Sequence, residues 1–414
     1  MIPSKQVTVL SLEQALALPY ATERFVQMGW RVIRIETPAE NPGENAGDPN
    51  RYIGADLGHH DLHSYYITPN LGKEAITLNL KKKEGQELLL KIIRELKVDV
   101  FMCNTLPKRY QQLGIDFKTL SAANKDIIWC GISAIGPDYP DRAGYDPALQ
   151  ALMGFTYLTG EVNGKPVPSG IPVIDLKAGD EAVIQVLKAM WEKEQGEIEM
   201  QTGTTGLQNG KEIHISMAQC AASWLITALP QLAFVKSDNE LFQRSGNEHR
   251  SFIPCNVYTT KDGMIYLAIG NDLQWEKFTA FHGFGSLACE SRRTNAGRML
   301  EKDAIYTEIE ALTQKYTTDE FFKIGLSLNL SVAPVNTVKQ VAELDFVKKT
   351  MLHTTLPDGR SPLLAPPSHA TLFLEKSNNH LSCAPRLGEQ NEKVWKEIGL
   401  TDVALEKLKK VNAC

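Results

Sequence analysis

The sequence EGQELLLKIIRELKVDVFMC, residues 84–103, joins the two hydrophobic patterns that decide the fold. In its first half, leucines and isoleucines recur at positions 88, 89, 92, 93 and 96. Apolar residues spaced three and four positions apart lie on one face of an α-helix, so we predict a helix over Glu84–Lys97. The run Val98–Cys103 that follows is short, mostly apolar and rich in residues that favour strands. It predicts a buried β-strand that the chain enters directly from the helix.

The same alternation extends along the chain on both sides of this segment. Strands are predicted over Gln6–Leu10, Arg31–Glu36, Ala75–Leu80 and Ile127–Ile132, and a helix over Pro19–Met28. Apolar strands that alternate with helices form a mostly parallel sheet covered on both faces. The predicted fold class is therefore α/β, with a Rossmann-like parallel sheet in a large domain.

A change of pattern marks a second, smaller α+β domain. Two apolar runs flank Asp262-Gly263, and Asp-Gly between such runs is a strong hairpin signal. We assign residues 1–225 to the large Rossmann-like domain, with a C-terminal return at 340–414, and residues 226–339 to the small domain. The linkers between the domains are expected within 195–245 and 325–345.

The composition is that of an ordinary globular protein and excludes several classes. The 414 residues are 43% hydrophobic and 22% charged with a net charge of -5, which argues against a general nucleic-acid binder. No apolar run reaches the roughly 18 residues of a membrane span, and the N-terminal residues do not resemble a signal peptide. The seven scattered cysteines contain no C-x-x-C pair and predict neither disulfides nor a zinc site. We therefore expect a cytoplasmic protein without nucleic-acid or membrane partners.

The usual sequence signatures of a bound cofactor or metal are missing. The turn Leu12–Pro19 after the first strand has no glycine, so the G-x-G-x-x-G approach to a pyrophosphate is absent, although Glu36 ends the second strand where a ribose-binding acid would lie. His59, His60 and His63 have no fourth ligand spaced to match, and they predict a solvated loop. We expect no cofactor and no metal.

Asp175 lies in a setting that suits covalent chemistry. It stands between a small-residue segment around Ser169 and Gly170 and an amphipathic helix predicted over Gly179–Glu194. A lone carboxylate presented in this way suits covalent capture of an activated acyl group. The helix dipole would favour its ionised form by about 0.3–1 kcal/mol. The alternative that the residues leave open is a capping role at the start of the helix, which aspartate often has.

A series of short motifs runs along nearly the whole chain in a fixed order. The motifs are Val9–Leu12 with Pro19–Thr22, Gly29–Pro38, Gly47–Arg51, Asn70–Lys73 with Ile76–Leu80, Gly144–Asp146 through Gly160-Glu161 to Asp175, Gly246–His249, Thr260–Gly263, Gly270–Trp275, Ala333–Val335 and Pro385–Glu389. Each motif is weak alone, but in this order and spacing they resemble the family III CoA-transferases, the group that includes formyl-CoA transferase and carnitine CoA-transferase. The resemblance implies an interlocked-ring dimer, formed with a second copy or with a sister subunit.

The resemblance identifies Asp175 with the catalytic aspartate of that family. The implied reaction moves CoA from an acyl-CoA donor to a carboxylic acid acceptor, through aspartyl anhydride and aspartyl-CoA thioester intermediates. The narrower expectation is a succinyl-CoA donor with an aromatic or dicarboxylic acceptor, as in the benzylsuccinate CoA-transferase branch. CoA thioesters are then substrates, and the resemblance implies no resident cofactor.

The resemblance also implies residues that contact CoA. Where the family commonly has an arginine this chain has Gln112, and Lys108 and Arg109, within a turn of it, are the candidates to replace it as phosphate partners. Thr105 stands where the family usually has phenylalanine. The implied CoA contacts are Asn70, Leu71, Lys73, Asn104, Thr105, Leu106, Lys108, Arg142, Tyr145 and Asp146.

Two other functions stay open at this point. A 2-methylacyl-CoA racemase of the same superfamily needs a proton-moving residue, typically histidine, where this chain has Tyr145. A catalytically silent partner subunit would be expected to lack the aspartate, and Asp175 is present. Both observations favour CoA transfer.

Overall fold

The structure, a computed structural model, describes residues 6–41, 43–196, 210–234 and 242–414. They divide into two compact units. The larger is drawn from Met1–Met153, Gly170–Thr227 and Phe346–Cys414, and the smaller from Gly154–Ser169 and Ala228–Asp345. Residues 154–169 thus group with the smaller unit, whereas the sequence-based boundaries keep them in the large domain. The linker predicted within 195–245 includes residues 197–209 and 235–241, which lie outside the described residues.

The described strands are β1 (Thr8–Leu12), β2 (Arg31–Glu36), β3 (Asp56–His59), β4 (Leu62–His63), β5 (Glu74–Thr77), β6 (Val100–Cys103), β7 (Ile128–Ser133), β8 (Lys211–Ser216), β9 (Cys255–Thr259), β10 (Met264–Ala268), β11 (Ser331–Pro334), β12 (Leu352–His353) and β13 (Leu363–Leu364). The described helices are α1 (Ala17–Gln27), α2 (Ser64–Ile67), α3 (Lys83–Glu95), α4 (Tyr110–Leu113), α5 (Phe117–Ala123), α6 (Asp146–Leu152), α7 (Phe155–Leu158), α8 (Val173–Glu194), α9 (Met217–Trp224), α10 (Asp272–Ala280), α11 (Asn295–Leu300), α12 (Lys302–Thr313), α13 (Thr318–Ser327), α14 (Val338–Glu343), α15 (Asp345–Lys348), α16 (Leu372–Lys376), α17 (Asn391–Glu397) and α18 (Asp402–Lys410). None of these helices is long and apolar enough to cross a membrane.

A six-stranded sheet in the order β5-β2-β1-β6-β7-β8 organises the larger unit, and every neighbouring pair is parallel. This confirms the predicted α/β class. Val9, Ile33 and Phe101 in its central strands are fully buried or nearly so, as expected for parallel strands covered on both faces. The strand order runs outward from β1 in both directions. Loops that leave the carboxyl ends on either side of such a point separate and open a crevice.

Helix α3 packs against the last part of the chain. Residues of α3 form one apolar cluster with residues of β6, β7 and the C-terminal helix α17, so the C-terminal return covers part of the sheet. The apolar residues whose spacing predicts α3 are the residues that this helix buries. The cluster includes Leu88, Leu89, Ile92, Ile93, Phe101, Trp129, Val394, Trp395 and Ile398.

Helix α8 begins earlier than the sequence predicts. The prediction places its start at Gly179, but the helix starts at Val173, so Asp175 lies inside the first turn rather than ahead of the helix. The start is fixed from outside, because the Asp146 carboxylate accepts the backbone N–H groups of Ile174 (2.7 Å) and Asp175 (3.1 Å). A cap supplied by a residue 28 positions away in sequence leaves no local capping signal.

The smaller unit has its own sheet and core. Strands β9, β10 and β11 form an antiparallel sheet in the order β11-β10-β9. The predicted hairpin is confirmed, with Thr259 opposite Met264 and the Thr260 N–H bonded to the Gly263 carbonyl at 2.9 Å. Inward side chains of this sheet pack on aromatic residues of the flanking helices and turns, which include Trp275, Phe278, Phe284 and Phe321.

Candidate active site

A cleft of about 410 Å³ opens along the carboxyl edge of the six-stranded sheet, within the larger unit. Parallel strands end at the same edge, so the loops after β1, β2, β5, β6 and β7 all reach it. The N-terminal turn of α8 contributes the acidic side chain of Asp175 to the cleft lining. The lining consists of residues 12–15, Ala17, Thr37, 78–81, 104–106, Arg109, Leu113, 132–134, 142–145, Asp175 and Met217.

The Asp175 side chain lines this cleft without a bond to the protein. Its carboxylate makes no hydrogen bond or ion pair with any residue that the structure describes. Burial, and then the nearby charge of Asp146, raise the pKa of Asp175 to about 7. The sequence predicts that the helix dipole favours ionisation, but desolvation and the neighbouring carboxylate outweigh it. A half-buried carboxylate of raised basicity that no partner holds is available to react.

Asp146 affects the site indirectly, through its contacts with the first turn of α8. Its side chain is buried, caps α8 through one oxygen and accepts a hydrogen bond from the Gln150 amide through the other. It is not among the residues that line the cleft. The sequence proposes a CoA contact here, whereas the structure makes Asp146 the group that fixes where α8 starts and that sets the electrostatics of Asp175.

Helix α8 approaches α1 closely just below Asp175. A Cβ atom added to Gly179 would lie 2.6 Å from Cδ1 of Tyr20 and 2.8 Å from the Ala17 carbonyl oxygen, so only glycine permits this spacing. On the next residue, the Asp180 carboxylate accepts hydrogen bonds from the Tyr20 hydroxyl (3.1 Å) and the Arg24 guanidinium (2.6 Å). These contacts hold the first turns of α8 against the start of α1, beside the loop that follows β1.

That loop, residues 13–16, is held in an unusual backbone conformation. Ala15 has φ of 62°, a left-handed conformation that costs a non-glycine residue about 1–3 kcal/mol. The Asp48 carboxylate accepts the Ala15 N–H at 3.2 Å, and the Asn50 amide donates to the Ala15 carbonyl at 2.9 Å. Asn104 bonds the backbone of Gln14 twice, at 3.2 and 2.7 Å. The sequence proposes Asn104 as a CoA contact. Asn104 lines the cleft, and its hydrogen bonds to Gln14 also fix the loop of residues 13–16 on the other side of the cleft from Asp175.

The other proposed contacts divide between the cleft and the outer surface. Thr105, Leu106, Arg142 and Tyr145 line the cleft, and the Tyr145 side chain is 78% exposed. Lys108 is not among the lining residues and forms an exposed ion pair with Asp141 at 2.8 Å. Its neighbour Arg109 lines the cleft. Neither Arg109 nor Arg142 has a carboxylate partner among the described residues, which leaves both guanidinium groups available to an anion.

Asn70, Leu71 and Lys73 are buried away from the cleft lining. The Lys73 ammonium bonds to the Glu13 carboxylate (2.7 Å), the Pro19 carbonyl (2.9 Å) and the Asn70 amide oxygen (3.0 Å). Burial lowers the pKa of Lys73 to about 8, against the opposing effect of Glu13. In this arrangement Lys73 is an internal counter-ion beneath the loop after β1 rather than a surface phosphate ligand.

Arg34 extends this buried charge network. Its guanidinium contacts carboxylate oxygens of Asp48 at 3.1 Å, Glu36 at 3.4 Å and Glu13 at 3.8 Å. Although burial acts in the opposite direction, Lys73 and Arg34 hold the pKa of Glu13 below its usual value. Buried charges are tolerated only when they are paired in this way, so the network fixes the positions of all its members.

The histidines that the sequence places in a solvated loop are separate from the cleft. His63 Nδ1 lies 2.6 Å from the Arg51 carbonyl oxygen, and the His60 ring packs at 5.3 Å from that of Tyr52. Across the residues that the structure describes, no three His, Cys, Asp or Glu side chains are grouped in a way that would hold a metal ion.

Sequence reasoning missed part of the lining. Thr37, the segment 78–81 and Ser133 line the cleft although none was proposed as a contact. The available signal was their position at the ends of predicted strands. Thr37, Lys81 and Ser133 follow such strands, and residues 78–80 are the last three of the predicted strand Ala75–Leu80, which in the structure already ends at Thr77. Lys81 is the one cation in this group, and it forms a 3.4 Å surface ion pair with Glu40.

Comparisons with known proteins agree with this fold. Residues 5–391 match the family described as CoA-transferase family III. The chain is 27% identical over 407 residues to the succinate–glutarate CoA-transferase of Agrobacterium fabrum, covering 96% of each chain. It is 26% identical over 409 residues to the human succinyl-CoA:glutarate CoA-transferase, covering 96% of this chain and 86% of the human one. The crystal structure of a CAIB/BAIF family protein from Brucella suis is similar with a TM-score of 0.78 at 27% identity, covering 96% of this chain and 99% of that one.

The chain therefore belongs to CoA-transferase family III. It is a CoA-transferase, as the resemblance of its motifs predicts. Both relatives are named as CoA-transferases, in line with the activity that the motifs predict.

We predict that Asp146→Asn shifts the acidic limb of the rate–pH profile to lower pH. The resemblance to the family implies that the reaction starts from ionised Asp175, so the rate should fall as the pH drops through its pKa of about 7. Asparagine keeps an oxygen that can cap α8 but removes the charge that raises this pKa, and we expect a shift of roughly half to one pH unit. The profile of kcat against pH measures it. Asp303→Asn, an exposed change in the smaller unit, is the control, and an unmoved limb in Asp146→Asn would contradict the assignment.

We also predict that two lysines have opposite phenotypes. Lys73→Met leaves the Glu13 carboxylate buried without its partner and should lower the free energy of unfolding by about 3–5 kcal/mol. Lys81→Met changes an exposed residue, so stability should stay within about 0.5 kcal/mol while CoA affinity falls. Urea unfolding and calorimetric titration with CoA measure both. Adding Glu13→Gln to Lys73→Met should recover part of the lost stability. A stable Lys73→Met protein with weakened CoA binding would instead restore Lys73 as a phosphate ligand.

Proposed function

We propose that this enzyme transfers CoA from succinyl-CoA to a dicarboxylic acid, with the Asp175 carboxylate as the nucleophile. The observation that carries the proposal is the Asp175 carboxylate itself, which lines the cleft, has a raised pKa and is bound by no other described residue. Two relatives named for succinate or succinyl-CoA and glutarate support the choice of donor and acceptor class. Benzylsuccinate, an aryl-substituted dicarboxylic acid, belongs to the same acceptor class.

The proposed reaction starts when ionised Asp175 attacks the thioester carbonyl carbon. A C–O bond forms, the C–S bond breaks, and the products are an aspartyl anhydride and the CoA thiolate. The thiolate then attacks the aspartyl carbonyl carbon, which gives an aspartyl-CoA thioester and releases the donor as its carboxylate. Each step exchanges one anionic leaving group for one anionic nucleophile, so no proton has to be supplied. This accounts for a cleft in which none of the described lining residues is a histidine.

The second half of the reaction repeats these steps in reverse. The acceptor carboxylate attacks the aspartyl-CoA thioester and forms a second anhydride. The thiolate attacks the acceptor-derived carbonyl carbon, and Asp175 is regenerated as a carboxylate. The raised pKa suits this cycle, because at neutral pH roughly half of the groups are ionised and the ionised group is more basic than an ordinary aspartate. Partial burial limits the access of water that would hydrolyse the anhydride.

The charges around the cleft suit a polyanionic substrate. Lys81, Arg109 and Arg142 line it, and the two arginines have no carboxylate partner among the described residues. Of the acidic lining residues, Glu13 is neutralised by Lys73 and Arg34 beneath it. We propose that the three cations bind the phosphates of CoA and that Asn104, Thr105 and Leu106 contact the chain between the phosphates and the thiol. Thr105 offers a hydroxyl there and no aromatic face for stacking.

Chemical trapping tests the nucleophile directly. Incubation of the enzyme with succinyl-CoA followed by hydroxylamine or borohydride should modify a single peptide at Asp175, as read by mass spectrometry. Asp175→Asn should give no adduct and lose transfer activity by at least about a thousandfold, because the covalent path is gone. Asp303→Asn, an exposed change in the smaller unit, is the control and should keep both. An adduct elsewhere, or full turnover by Asp175→Asn, would reject the proposal.

Parallel assays with glutarate, benzylsuccinate and monocarboxylic acids then rank the acceptors.

We further propose that the enzyme works as a dimer of the interlocked type, in the cytoplasm. Ile184, Leu187 and Trp191 form a stripe on α8 and are 52%, 37% and 57% exposed. Side chains at this helical spacing cover one face, and an apolar face of this kind is typical of a contact with another chain. A second copy is the proposed occupant, because an interface around a twofold axis uses the same patch on both chains. The seven cysteines form no disulfide, which fits a reducing compartment.

Sedimentation equilibrium of the purified chain tests the dimer. We expect about twice the mass of one chain, and a shift toward the monomer in Trp191→Glu, because a charge at this position would have to be buried in the contact. Val403→Glu introduces the same charge at an exposed site on α18 and should leave the mass unchanged. A monomeric wild-type protein would indicate that a sister subunit, rather than a second copy, covers the stripe.

A further inference from the structure

Two neighbouring loops, those after β2 and β5, form one end of the cleft. Thr37 follows β2 and residues 78–81 follow β5, and both stretches line the cleft. Within the second loop, the Asn79 side chain accepts the Lys81 N–H at 3.2 Å, and the Asn79 carbonyl accepts the Lys82 N–H at 3.0 Å. Asn79 therefore forms the turn that presents Lys81.

Both loops are tied to one distant segment, residues 411–414. The Ala413 carbonyl accepts the Asn79 N–H at 2.9 Å, and the Asn412 amide donates to the Ala39 carbonyl at 3.2 Å. The Lys82 ammonium donates to the Val411 carbonyl. Ala413 is completely buried, although it lies 334 positions from Asn79 in sequence. One short segment thus bonds to the loop that carries Lys81 and to the loop after β2.

The segment is itself rigidly held. Asn412 has φ of 49°, the left-handed conformation that asparagine tolerates at the end of a helix. Its N–H bonds to the Lys409 carbonyl and the N–H of Ala413 to the Leu408 carbonyl, both at 2.9 Å, so the segment continues directly from the end of α18. Gly85 in α3 closes the other side, where an added Cβ would lie 2.2 Å from the Asn79 carbonyl oxygen and 3.4 Å from that of Ala413. The turn at Asn79 is packed between α3 and residues 411–414.

We propose that residues 411–414 are a positioning element for the CoA-binding end of the cleft, acting both through the loop after β2 and through the Asn79–Lys82 turn that carries Lys81. The proposal rests on the proposed function, in which CoA thioesters occupy this cleft. The segment bonds to the loops after β2 and β5, whereas Asp175 belongs to the first turn of α8 and is held by Asp146. It therefore sets the affinity for CoA and acyl-CoA and leaves the chemical step and the affinity for the acid acceptor unchanged.

Asn412→Gly tests this assignment with little backbone strain, because glycine accepts a positive φ while losing the amide that bonds to Ala39. We expect the Kd for CoA, measured by calorimetric titration, and the KM for acyl-CoA to rise about three- to tenfold, the effect of losing one hydrogen bond. The kcat and the KM for the acid should stay within about twofold of the wild type. Deletion of residues 412–414 should enlarge the CoA effect in the same direction, with circular dichroism to verify folding.

Asn378→Gly is a matched control, since Asn378 is exposed and also has a positive φ, of 53°, at the end of α16. It should change none of these parameters. An unchanged Kd for CoA in Asn412→Gly, or an equal change in the KM for both substrates, would reduce residues 411–414 to a purely structural role. CoA titration of Asp175→Asn separates the two proposals. If neither the wild type nor Asp175→Asn binds CoA, the proposed function fails, and if Asp175→Asn binds CoA equally well with and without Asn412→Gly, only the positioning role fails.

Discussion

The candidate active site depends on one hydrogen-bonded contact, in which the Asp146 carboxylate accepts the N–H groups of Ile174 and Asp175. A helix begins with backbone N–H groups that have no partner within the helix, and a carboxylate satisfies them with favourable charge. Here the carboxylate comes from the start of a different helix, α6, so it joins two elements as well as capping one. The same contact places a negative charge near Asp175 and contributes to its raised pKa. Position and reactivity of the proposed nucleophile thus have a common origin.

The opposite wall of the cleft is stabilised by a different interaction, the buried ion pairs beneath the loop after β1. Lys73, Arg34, Glu13 and Asp48 are almost completely buried and paired with one another. Breaking such a pair leaves an uncompensated charge in a medium of low dielectric constant, so the network strongly resists displacement. It is linked through Asp48 to Ala15, whose left-handed backbone would relax without support. Rigidity on this side suits the proposed reaction, whose anhydride intermediates would have to be kept from water.

The positive charges in and directly beneath the cleft fall into two groups with different roles. Lys73 and Arg34 are internal and neutralise buried carboxylates, whereas Lys81, Arg109 and Arg142 line the cleft. A sequence motif cannot separate these groups, because a lysine three residues after an asparagine reads the same whether it is buried or exposed. Lys108 and Arg109 make the same point, since they are adjacent in sequence and only Arg109 lines the cleft. Which cations face a substrate follows from how the loops pack, and that depends on residues far away in sequence.

The residues alone predict the α/β class, the parallel sheet, the family and the choice of Asp175 as the proposed nucleophile. These follow from local patterns, namely the helical and strand spacing around residues 84–103 and the ordered motifs from Val9 to Glu389. Tertiary structure alone decided where α8 starts, why the pKa of Asp175 is high and which proposed contacts reach the cleft. Asp146 with Ile174, Lys73 with Glu13, and Asn79 with Ala413 are pairs separated by tens to hundreds of residues. Such contacts leave no periodicity in the sequence, because they arise only when the folded chain brings distant polar groups together and removes water from between them.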